Sequence, residues 1–85
     1  MDDDGWRVNV DGIHKDVPVR VIKRMGKLLD RVAACQHPSM DRRVTKLKVV
    51  DGYRLKIGEH YRALFTVHDH SINVYKVCHR KESYQ

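Results

Sequence analysis

The chain has 85 residues, enough for one small domain with a modest core and too few for a large enclosed ligand cavity. Its 17 Lys+Arg against 11 Asp+Glu give a formal charge of +6, which favours an anionic partner such as nucleic acid, a membrane surface or an acidic protein. No apolar run approaches the ~20 residues of a membrane span and no secretory pattern opens the chain, so a soluble, cytoplasmic protein with no membrane contact is expected.

Asp2, Asp3 and Asp4 make an acidic start, and residues 1–5 are expected to be flexible. Trp6-Arg7-Val8-Asn9-Val10 alternates apolar and polar, as a half-buried strand does, and Asp11-Gly12 is a turn signal that ends it. Residues 16–35 read as an amphipathic helix. Asp16 can cap it, and Pro18 suits a first turn, where a missing N–H costs nothing. Ile22, Met25, Leu29 and Val32 recur at helical spacing, and Leu28 and Ala33 widen the stripe. Arg20, Lys23, Arg24, Lys27, Asp30 and Arg31 lie mostly on the other side. Gly26 weakens the helix by about 1 kcal/mol against Ala, and Gln36-His37-Pro38-Ser39 ends it. Residues 40–50, MDRRVTKLKVV, fit a short helical turn followed by the start of a strand, and Asp51-Gly52 is another turn.

The last third has the clearest pattern. Tyr53, Leu55 and Ile57 alternate with Arg54 and Lys56, and Gly58-Glu59 can turn a tight hairpin. In 60–68, Tyr61, Ala63, Phe65 and Val67 alternate with Arg62, Leu64, Thr66 and His68; Asp69-His70-Ser71 makes a second turn. Ile72 to Cys78 is rich in β-branched and aromatic residues. The expectation is a single α+β domain over 1–85 in β-α-βββ order. A small curved antiparallel sheet of about four strands carries the N-terminal helix on one face.

If the helix covers the side of Tyr61, Ala63, Phe65 and Val67, Arg62 belongs to the other side, where Arg54 and Lys56 of the neighbouring strand also point. Alternating cations on a sheet face are often merely solvated and discourage edge pairing. Gathered as one patch, they suit a phosphodiester backbone, with Arg offering a planar fork and Lys a mobile point charge. Pattern alone leaves both open. Cys35 and Cys78 are far apart and outside any CxxC pair, so reduced thiols are expected, with no disulfide and no structural zinc. His68 and His70 flank Asp69, but an exposed hairpin turn explains them without a metal.

Several pieces together resemble the RelE/ParE toxin superfamily: Leu47, Tyr53-Arg54-Leu55-Lys56-Ile57-Gly58, Tyr61-Arg62 and the closing His79-Arg80-Lys81-Glu82-Ser83-Tyr84. The match spans about half the chain and lies in the order and spacing of these pieces. The resemblance implies a curved antiparallel sheet with N-terminal helices on one side. It also implies the toxin of a type II toxin-antitoxin system, a metal-independent endoribonuclease that cuts mRNA in the 30S A site of the ribosome. Two features depart from the family: only Gly12 to Val17 is available where a first helix is usual, and Cys78 stands where Gly is common.

By the same resemblance, Arg62 matches a central phosphate-stabilising arginine and Arg80 a second one. Arg54 and Lys56 match a basic pair, one of which can act in proton transfer, and Tyr84 matches a C-terminal tyrosine that can stack on or orient a base. His79 could serve as a general base, because an imidazole titrates near neutral pH. Lys46, Lys48 and Lys81 are further candidate RNA-binding cations. The expected partners are a cognate antitoxin, mRNA and the ribosome, with no cofactor and no metal. Two alternatives remain: a ParE-like inhibitor of DNA gyrase without nuclease activity, and a degenerate, non-catalytic binding module of the same fold.

Overall fold

The computed structural model describes residues 6–10 and 17–82. The start at 1–5, the Asp11-Gly12 turn, the Asp16 cap and Tyr84 lie outside the described residues. The elements run β1 (Arg7–Val10), α1 (Val19–Ala33), a 3-10 turn (Pro38–Met40), β2 (Val44–Lys46), β3 (Tyr53–Ile57), β4 (Tyr61–His68), β5 (Ser71–His79) and a closing 3-10 turn (Arg80–Glu82).

The protein is α+β, as expected, but among the described residues its sheet has five strands, in the order β1-β5-β4-β3-β2. The β3–β4–β5 meander is antiparallel. β1 pairs with β5 in parallel, from Arg7↔Ser71 to Val10↔Val74, so the sheet is mixed rather than purely antiparallel. The fifth strand is β2, an antiparallel edge of three residues beside β3. β2 follows the 3-10 turn as the strand start expected within 40–50, but a pairing between the two ends of the chain leaves no local trace.

Pro18 stands at the N-cap of α1 rather than inside its first turn. Its ψ of 143° is extended, and its carbonyl accepts from the N–H groups of Val21 (2.9 Å) and Ile22 (3.2 Å). The buried stripe is Val21, Met25, Leu28, Leu29, Val32 and Ala33, turned slightly from the expected one, so that Val21 is buried and Ile22 half-buried. It packs on the sheet face of Leu55, Ile57, Ala63, Phe65, Ile72, Val74 and Val77. Trp6 ties the chain entry to this layer: its N–H donates to Ala33 O (3.0 Å), its Nε1 donates to Gln36 O (3.2 Å), and its ring stacks on His70 at 4.2 Å.

Two turns have particular consequences. Asp69 and His70 both take left-handed φ (50° and 60°), the two-residue geometry whose twist matches an antiparallel hairpin. Gly52 closes the β2–β3 loop at φ 137°, its carbonyl accepting from Leu47 N–H (3.0 Å). A Cβ there would meet the Phe65 carbonyl oxygen at 3.0 Å, a backbone atom that cannot swing away. Gly52→Ala is therefore expected to destabilise the fold by about 1–3 kcal/mol, read as a lower urea midpoint at unchanged m.

The ladder between β4 and β5 slips once. Leu64 pairs with Lys76 but Phe65 pairs with Val74, leaving Tyr75 as an extra residue in β5. A bulge of this kind reverses the facing of everything beyond it. Ile72, Val74 and Val77 can thus all enter the core, while Lys76 and Cys78 pass to the opposite face.

Candidate functional site

Strand pairing assembles the site. Arg62 on β4 lies across from Lys56 on β3 and from Cys78 on β5. One step along, Leu64 lies between Arg54 and Lys76, and Thr45 of β2 lies beyond Arg54. These residues share the sheet face away from α1, so Arg54, Lys56, Arg62 and Lys76 form one cationic block. Leu64 and Cys78 are buried among them (6% and 5% exposed), so the cations surround an apolar spot rather than standing on bare backbone. On the same face Asn9 Nδ2 donates to Asn73 Oδ1 (2.9 Å), and exposed Arg7, two residues before Asn9 on β1, adds a further cation at that edge. None of the five strands contains Asp or Glu.

Arg62 is the electrostatic centre. It is half-buried, and its guanidinium donates to the Tyr61 carbonyl at 2.8 Å, which fixes one end of the fork. Its affinity for a proton is held below the ordinary arginine value, first by partial burial and then by the charges of Arg54 and Arg80; Cys78 acts the other way. The group remains a cation at neutral pH. Besides burial, the neighbouring Arg54 and Arg80 guanidinium groups disfavour its charge, and an anion placed among them would offset that repulsion. Arg80 reaches this cluster because its N–H donates to the His60 carbonyl (2.7 Å), which extends the β4–β5 register one residue past Tyr61↔His79.

Other expected site residues fall elsewhere. His79 pairs with Tyr61, whose ring packs against the core on the α1 side, and the two rings lie 5.7 Å apart. His79 is therefore on the face opposite Arg62. The β5 bulge is the reason: uninterrupted alternation from Ile72 would send His79 to Arg62's side. Its Nδ1 accepts from Lys81 N–H at 3.3 Å. Lys46 pairs with Tyr53, another core-side residue, and its Nζ lies 5.9 Å from that ring centroid, so it also leaves the Arg62 face. Lys48 is exposed in the β2–β3 loop, and Lys81 is exposed in the closing 3-10 turn.

Lys76 is a member of the block that sequence reasoning missed, because regular alternation with Ile72 and Val74 would have placed it against the core. No group of three or more His, Cys, Asp or Glu among the described residues could hold a metal ion.

His79→Gln supplies a direct check on these positions. A general base is worth about 10²–10⁴ in rate. If the sheet face cleaves RNA as the resemblance implies, His79→Gln, on the far face, is expected to keep that cleavage within about tenfold of wild type, well short of the loss of a base. Primer extension on an mRNA under translation measures it.

No protein-family model matches the chain, and no curated protein is significantly similar to it in sequence.

Proposed function

We propose that the protein is an endoribonuclease of the RelE/ParE toxin type, cutting mRNA on the ribosome without a metal. The observation that carries this reading is the convergence of Arg54 and Arg80 on half-buried Arg62, with Lys56 directly across the strand. In the reaction a ribose 2′-oxygen attacks the adjacent phosphorus while its proton passes to a base. The bond from phosphorus to the 5′-oxygen breaks, leaving a 2′,3′-cyclic phosphate, and the departing 5′-oxygen takes up a proton. Arg62 and its neighbours face the extra negative charge of the phosphorane, where fixed cations lower the barrier most. The Lys56 ammonium can supply the proton to the 5′-oxygen. A partner antitoxin that covers this basic face would silence it.

The test is to induce wild type and Arg62→Ala in cells and map the 5′ ends of translated mRNAs. New ends within reading frames, absent with Arg62→Ala, support the nuclease. Growth arrest with a DNA-damage response and no new ends points to a gyrase inhibitor. Neither arrest nor cuts from folded protein points to a non-catalytic module.

A further inference from the structure

The cations of α1 have no part in the site above. Arg20, Lys23, Arg24, Lys27 and Arg31 recur at i, i+3, i+4, i+7 and i+11, one exposed stripe of a helix. The stripe borders an open groove of about 670 Å³ between α1 and the β3–β4 hairpin, where Arg43 joins it and Glu59 is the acidic lining residue. Val21, Leu28 and Ile57 at its floor are 8%, 8% and 2% exposed, and half-buried Tyr61 adds apolar surface beside the cations. A phosphodiester backbone needs repeated cations and no pocket.

The groove also leads somewhere. A smaller recess of about 420 Å³ shares Arg24, Arg43 and Gly58 with it and adds Arg42 and Lys56. Lys56 is the cross-strand neighbour of Arg62. Cations therefore line a route from α1, around the edge of the hairpin, to the centre of the candidate site. We infer that a single RNA strand engaged at Arg62 continues around the β3–β4 hairpin into the α1 groove. There Arg20, Arg24 and Lys27 hold its backbone without reading its bases. The inference rests on RNA being the ligand of the sheet face, and it assigns the protein a binding footprint longer than the scissile dinucleotide.

The test uses fluorescein-labelled oligouridylates of roughly 4 and 12 nucleotides, within the span of single-strand footprints. Their anisotropy is followed over a salt series with wild type and with the triple variant Arg20→Gln, Arg24→Gln, Lys27→Gln. All three positions are exposed and Gln is a good helix former, so the fold should persist, as circular dichroism will show. Wild type is expected to bind the longer oligonucleotide more tightly and with a steeper salt slope. The triple variant should lose that advantage, its slope shallower by about 2, from three cations at about 0.7 each. Its binding of the shorter oligonucleotide should not change.

An unchanged slope for the longer oligonucleotide overturns the inference while leaving the sheet-face nuclease standing. A variant that keeps the RNA slope but loses binding of a polyglutamate peptide also overturns it, and gives the groove to an acidic protein. Failure of the wild type to bind either oligonucleotide removes RNA as the ligand of both surfaces.

Discussion

Under the proposed nuclease function, Arg62→Ala is expected to reduce mRNA cleavage by about 10²–10³, the usual consequence of removing one preorganised group that faces developing charge. The same variant should melt no lower than wild type. Arg62 gives up solvation and sits beside Arg54 and Arg80, so its removal relieves repulsion as well as losing one hydrogen bond to Tyr61 O. Arg62→Lys should not restore activity. It keeps the charge but loses the planar fork, of which one edge is bound to the backbone and the other is left to hold phosphate oxygens. Cleavage rate and thermal midpoint measured on the same preparations separate these effects. A variant that cleaves normally would remove Arg62 from the site. One that melts well below wild type would make Arg62 a structural residue instead.

Phe65→Ala should have the largest effect on the fold. Phe65 is 0% exposed on the central strand, its ring 5.5 Å from that of Tyr53, with the buried stripe of α1 above it. Emptying such a site costs about 3–5 kcal/mol. A domain of this length has only about 4–13 kcal/mol in total, at 0.05–0.15 kcal/mol per residue. A large unfolded fraction at 37 °C is the expected result, measured by urea denaturation. Cleavage should fall in proportion to the folded fraction, because Phe65 faces α1 and not the cationic block. A loss of rate in fully folded Phe65→Ala would show instead that its packing positions Arg62.

Much of this architecture could be read from the chain alone because its signals are local. The stripe at helical spacing announces α1, and the two-residue alternation of Tyr53 to Ile57 and Tyr61 to Val67 announces β3 and β4. That alternation already places Arg54, Lys56 and Arg62 on the side away from Tyr53, Leu55, Ile57, Tyr61, Ala63 and Phe65. The α1 cations Arg20, Arg24 and Lys27 are equally visible as the side opposite the apolar stripe, but nothing in their spacing says that Arg43 and the β3–β4 hairpin form an opposite wall.

Sequence by itself therefore determined the helix, the three-strand meander and the facing of Arg54, Lys56 and Arg62, since each follows from side chains alternating along one continuous element. Tertiary structure alone decided the parallel pairing of β1 with β5, the place of β2 at the sheet edge beside β3, and the approach of Arg80 to Arg62. It also decided that Lys76 joins the cations while His79 leaves them, through the one-residue slip at Tyr75. A bulge forms where the pairing of two strands requires it; alternation within one strand does not encode it, so facing predicted from periodicity holds only up to that residue.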